Sequence, residues 1–158
     1  MKKYELTEET KVIDGKTLFR IRALRSFGDI KAGDLGGFIE NERNLSHEGN
    51  AWVEDNARVD GDARVDGDAW VGGYARVNGD GLINSNSDYL CEQGLGSRNR
   101  SASFFKCKDG HIHVLCGCFS GNLDEFENKV KEEHGNSKYS KEYLGFIEVV
   151  KTHFEVRQ

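Results

Sequence analysis

The chain has no proline among its 158 residues and a single methionine. Its corners must therefore be turned by glycine, aspartate and asparagine, which supply positive φ or cap a tight turn. No apolar run approaches the roughly 18 residues that a membrane helix needs, and no charged-then-apolar leader pattern opens the chain, so no membrane association is expected and the expected location is the cytoplasm. In that compartment Cys91, Cys107, Cys116 and Cys118 are reduced thiols rather than a disulfide frame. An excess of positive charge is missing too: 22 Lys and Arg face 27 Asp and Glu. The acidity is local, with ten acidic against four basic residues between Glu40 and Asp80. Such a segment repels a phosphate backbone. The short basic stripe of Arg20, Arg22 and Arg25 lacks interleaved aromatics, so a nucleic-acid partner is not expected. A basic protein surface would suit the acidic segment, although turn-forming aspartates alone produce the same count.

What is present is a run of six-residue units: AWVEDN, ARVDGD, ARVDGD, AWVGGY and ARVNGD over 51–80, then a decayed GLINSN. Ala51, Ala57, Ala63, Ala69 and Ala75 form one column. Val53, Val59, Val65, Val71, Val77 and Ile83 form another, a period that neither a helix nor a flat hairpin produces. Each unit makes a short strand and a corner, three units close a triangular coil, and coils stack in parallel with the valines filling the prism. Gly61, Gly67, Gly73 and Gly79 mark the corners. A coil then spans eighteen residues, so Trp52 lies under Trp70 and Arg58 under Arg76, each pair expected on an outward face. Exposed aromatics in register with arginines have the composition of an interface centre, and the expected partner is a second copy of the chain, as dimer or trimer. Surface stacking or a foreign ligand would use the same ladders.

Written from the valine, the unit V-[EDG]-x-x-A-x resembles the hexapeptide signature of left-handed parallel β-helices. The passage GDLGGFIENERNLSHEGNAWV, with the repeats after it, resembles phage- and prophage-encoded hexapeptide-repeat proteins, which carry labels such as transferase or polymer-forming protein. The resemblance covers roughly residues 1 to 85. It implies a left-handed coil, and it raises acyl transfer from coenzyme A with a histidine as general base. His47 is the only histidine near the repeats, and it occupies the column position that Val53 fills one unit later. With fewer than three clean coils and no long inserted loop, the walls that would hold a pantetheine arm are missing.

The expected organisation is mainly β in two domains. Residues 1–86 comprise an N-terminal hairpin about Asp14-Gly15 that caps a short left-handed parallel β-helix. Residues 87–158 form a small α+β module. In the module, Tyr89 to Gly94 reads as a strand, and SASFFKCK and HIHVLCGCF read as a hairpin about Asp109-Gly110. Asn122 caps a helix from Leu123 to about His134, and a final helix runs from Ser140 to about Val156. GLGSRNRSASFFKCKDG and CGCFSGNLDEFENKVKEEHG resemble a module of phage and gut-bacterial proteins, a resemblance that implies no activity.

Cys107, His111, His113, Cys116 and Cys118 crowd into twelve residues, a density that suggests zinc. A two-residue Asp109-Gly110 turn pairs Cys107 with Ile112, which sends the cysteines to one face with Ile112 and Val114 and the histidines to the other. On that register no metal site is expected; a slip of one residue would revive it. Gly94 to Ser101 holds the best anion-binding loop, in which Ser97, Arg98, Asn99 and Arg100 bring backbone N–H groups and two guanidiniums towards a phosphate or carboxylate. It lacks the Lys-Ser/Thr ending of a P-loop, and the arginines pairing with acidic neighbours is the competing account. No Ser-His-Asp or Cys-His set emerges from spacing, and no cofactor is expected. The reading is of a phage-type accessory protein that binds a host protein or an anionic ligand stoichiometrically, as in defence evasion. A coenzyme A-dependent acyltransferase using His47 and a nucleotide-binding protein using Ser97 to Arg100 are the alternatives.

Overall fold

A computed structural model describes residues 2–96 and 100–156, a mainly β chain with two α-helices and no closed barrel. It divides into two compact units, Met1–Asn86 and Ser87–Gln158. Among the described residues no helix is long and apolar enough to cross a membrane.

The first unit opens with an antiparallel hairpin, β1 (Tyr4–Ile13) and β2 (Lys16–Ala23), in which Ile13 pairs with Lys16 across Asp14-Gly15. Both turn residues have positive φ, as the right-handed twist of a two-residue hairpin requires. β2 then pairs antiparallel with β3 (Leu35–Ile39), and β3 starts the coil. Six two-residue strands follow: β4 (Trp52–Val53), β5 (Arg58–Val59), β6 (Arg64–Val65), β7 (Trp70–Val71), β8 (Arg76–Val77) and β9 (Leu82–Ile83). They pair in parallel as three walls, β3-β5-β8, β4-β7 and β6-β9. Trp52 lies against Trp70, Arg58 against Arg76 and Arg64 against Leu82, the eighteen-residue step of three units per turn. Inside, the alanine and valine columns are at most 1% exposed.

The opening coil is longer. Phe38 pairs with Arg58, and Leu45 with Val65, a step of twenty. Leu45, not His47, is therefore the inward residue beneath Val65, and the expected column position of His47 is corrected. Two additional residues between Leu45 and Val53 shift the histidine to the rim. Asn44, fully buried, closes this coil: its Nδ2 donates to the carbonyls of Gly61 and Ala63 at 3.1 and 2.8 Å, and its Oδ1 accepts from the amides of Glu40 and Asn41.

The exposure expected of the tryptophan ladder is also corrected. Trp52 is fully buried. Phe27 meets it edge-on at 5.2 Å and Tyr4 at 6.4 Å, because the segment between β2 and β3 crosses that wall of the coil. Trp70 stays half-buried, its indole N–H donating to the Asn50 carbonyl at 2.9 Å.

The second unit is a four-stranded antiparallel sheet in the order β10 (Tyr89–Leu95), β11 (Arg100–Lys106), β12 (Ile112–Cys116) and β13 (Phe119–Asn122). Helices α1 (Leu123–His134) and α2 (Lys138–His153) pack on it. Their Phe126, Val130, Tyr143, Ile147 and Val150 share a core with Ala102, Phe104, Ile112, Val114 and Cys116. Asn122 caps α1 through a reciprocal bond with Glu125, satisfying two otherwise orphaned amides.

The β11–β12 register differs by one residue from the expected one. Lys106 pairs with Ile112 and Phe105 with His113, and the loop is Lys108-Asp109-Gly110, closed by Cys107 N–H to the His111 carbonyl at 2.9 Å. Gly110 at φ +90 absorbs the third loop residue. The cysteines consequently do not share a face. Cys116 joins the helix-covered core, Cys107 goes to the opposite face with His111 and His113, and Cys118 is exposed in the turn between β12 and β13.

Candidate functional site

His47 sits on the rim of the opening coil of the first unit. Its ring stacks on Tyr4 with centroids 4.1 Å apart and planes 9° from parallel. Nδ1 accepts the backbone N–H of Lys3 at 3.1 Å. An amide only donates, so the proton of the neutral ring resides on Nε2, which faces Glu42 Oε1 at 3.0 Å. Lys2, and then His47, hold the Glu42 carboxyl below its ordinary value. The lone pair a general base would use is thus engaged by the main chain. Beneath it, Lys3 is fully buried, its Nζ donating to the carbonyls of Ala51 and Glu48 and lying 4.8 Å from the Phe27 ring centroid. Burial, followed by the nearby Arg25, pulls Lys3 down from 10.5 to about 8. The Tyr4 hydroxyl donates to the carbonyls of Leu45 at 2.7 Å and Glu42 at 3.0 Å, and burial pushes it well above the usual tyrosine range. Tyr4, Lys3, His47 and Glu42 knit the hairpin to the coil.

The arginine ladder is in register, and Arg76 is committed within the unit. Its guanidinium forks onto the fully buried Asp60, both contacts at 3.2 Å, and reaches Asp14 at 2.9 Å. Lys16 Nζ adds a contact to Asp60 at 3.5 Å. Asp60 follows the inward Val59, and Arg76 belongs to the next coil, so the fork clamps successive coils and the hairpin tip together. Arg58 Nη2 donates to the Tyr74 carbonyl at 3.5 Å, and Tyr74 is 51% exposed.

Of the anion loop, Ser97, Arg98 and Asn99 lie outside the described residues. Arg100 begins β11, and its guanidinium fills the space where a Cβ on Gly117 would stand.

The face of the second sheet opposite the helices carries a hydrogen-bonded chain that spacing alone did not assemble. Asp109 meets His111 Nδ1, His111 Nε2 meets His113 Nδ1 at 3.4 Å, and His113 Nε2 meets Ser120 Oγ at 2.8 Å. The His111 amide and ring hold the Asp109 carboxyl below its ordinary range, while burial, then the neighbouring His111, lowers His113. Ser120 was missed because CGCF reads as continuous strand. The signal that would have found it is Gly117-Cys118 as a second two-residue turn, with Gly117 at φ +59 and Cys116 pairing with Phe119. Among the described residues no three His, Cys, Asp or Glu side chains gather as a ready metal cage.

No family model matches the chain. Over 61 residues it is 39% identical to a protein of Escherichia coli (strain K12) described as the uncharacterized acetyltransferase YdcK, a stretch that covers 34% of this chain and 19% of the other. The chain thus spans about a fifth of that relative's length. The likeness is consistent with a hexapeptide-repeat protein.

Proposed function

We propose that the first unit is a left-handed parallel β-helix of hexapeptide repeats that serves as a rigid self-associating scaffold, and that the protein acts by stoichiometric binding rather than acyl transfer. The observation that carries this reading is His47. It is the only histidine of the unit, and stacking on Tyr4, the Lys3 amide and Glu42 engage its face and both nitrogens. A base must offer a free lone pair towards its acceptor; this ring is spent on joining the hairpin to the coil. The surface left for a partner is the half-buried Trp70 with the exposed Tyr74 on the same coil, rather than the Trp52–Trp70 ladder. A narrower version, a phage-type accessory protein that blocks a host defence protein, has the resemblance of its repeats as support.

Light scattering on the full chain tests the scaffold. A mass of two or three chains is expected, falling towards one in Trp70→Ala/Tyr74→Ala; a monomeric parent removes self-association. Acyl transfer is the second reading, favoured by the relative described as an acetyltransferase. It requires a thermal shift with acetyl-coenzyme A that His47→Gln diminishes. The scaffold reading expects no shift.

A further inference from the structure

We propose that His111 and His113 form a two-histidine site for a divalent ion of the zinc class on the second unit, with Asp109 and Ser120 as its positioning residues. Three observations converge on it. The register of β11 against β12 puts both histidines on the sheet face away from the helices, two residues apart at the start of the inner strand β12, with 40% of the His111 side chain exposed. Their inner nitrogens, His111 Nε2 and His113 Nδ1, stand 3.4 Å apart. Two nitrogens bound at about 2.0–2.1 Å to one tetrahedral ion are separated by about 3.4 Å, so the pair already spans one edge of a zinc tetrahedron.

The outer nitrogens are anchored as metal-bound imidazoles are. A carboxylate only accepts, so the Asp109 contact fixes the proton of neutral His111 on Nδ1 and leaves the Nε2 lone pair pointing inward. Metal-ligating histidines characteristically donate the second ring N–H to such a carboxylate or to another oxygen. Ser120 Oγ occupies that place for His113. Without an ion, the His113 Nδ1–H donates to His111 Nε2 and Ser120 donates to His113 Nε2. With an ion, the His113 proton moves to Nε2, and Ser120 changes from donor to acceptor. Both inner lone pairs then face the metal, and no net proton is released. Because no third His, Cys, Asp or Glu closes the set among the described residues, the remaining positions are open to water or to a small anionic or nitrogenous ligand.

The test uses the untagged, reduced full chain titrated with Zn2+, with histidine ring nitrogens followed by long-range 1H–15N correlation and affinity measured by competition with a chromophoric chelator. One equivalent of zinc is expected, with shifts centred on His111 Nε2 and His113 Nδ1. His111→Gln and His113→Gln should each weaken binding at least tenfold. Asp109→Asn should weaken it about tenfold or more, by freeing the ring it orients. Cys118→Ser, which removes the exposed thiol, should leave affinity unchanged. Circular dichroism of α1 and α2 reports whether each variant keeps the fold. Zinc uptake that persists in the doubly substituted chain, or unperturbed His111 and His113 nitrogens in the parent with one equivalent of zinc, overturns the proposal.

Discussion

At the scale of single residues, the first unit hides polar side chains, Lys3 and Asn44 among them, where composition shows only apolar columns. Lys3 is buried yet retains a proton at neutral pH, shared with backbone carbonyls. Its value falls from 10.5 to about 8, so between those limits the unfolded chain binds the extra proton and stability rises with pH. Below about pH 8 the penalty is fully present. Lys3→Met should therefore stabilise the chain most at pH 7, by up to about 3 kcal/mol, and the gain should shrink towards pH 10. Tyr4, raised by burial, works in the opposite direction only above about pH 10. Urea midpoints of parent and variant at pH 7 and 9.5 check this; a difference independent of pH would mean that Lys3 does not titrate there. Asn44 uses both its donors and its acceptor oxygen within the opening coil. Asn44→Asp turns a carboxylate onto two carbonyls and should cost about 3 kcal/mol by chemical denaturation. Neither residue was visible in the repeat pattern, because the chain there departs from six-residue spacing, and the carbonyls that accept from them lie from seventeen to forty-eight positions away.

At the scale of elements, the six-residue unit works because its corner needs a left-handed residue and its strand needs only two. Two corners with the same backbone separate conformation from contact. Gly73 has φ +64 and open space where a Cβ would stand, whereas a Cβ on Gly67, at φ +62, would lie 2.7 Å from the Asn84 carbonyl oxygen. Gly73→Ala should cost about 1 kcal/mol from conformation alone, and Gly67→Ala distinctly more, since the next coil must also move. Thermal melts of the two variants rank them; equal losses would contradict the stacking of Gly67 beneath that carbonyl. Asp60 and Arg76 tie coil to coil across a buried fork. Asp60→Ala removes the fork and leaves the guanidinium to Asp14, and should cost more than Arg64→Ala on the exposed pair with Asp66. The hairpin register in the second unit shows the limit of element-level reading. Asp109-Gly110 announces a turn but not its length, and one additional loop residue moves Cys107 to the other face relative to β12, while Ile112, Val114 and Cys116 keep the helix-covered side.

At the scale of the whole molecule, both tryptophans lie in the first unit and both α-helices in the second. Indole fluorescence and the helical signal at 222 nm therefore report different units. If residues 1–86 and 87–158 fold as separate domains, the two probes should give separate urea midpoints. Coincident transitions would show one cooperative unit instead.

By itself the sequence determined the coil period, its apolar filling, the eighteen-residue ladders, the Asp14-Gly15 hairpin and the Asn122 helix cap, because each follows from contacts or conformations local to a few residues or repeated with them. Only the tertiary structure decided which ladder residues face solvent, where His47 sits, and which side of the sheet carries Cys107. Burial of Trp52 depends on a segment without a repeat folding across it. The position of His47 depends on two additional residues taken up between Leu45 and Val53. The facing of Cys107 depends on a loop one residue longer than the minimum. A period-two strand converts that single residue into a change of side, which takes Cys107 out of the core and onto the face of the histidines.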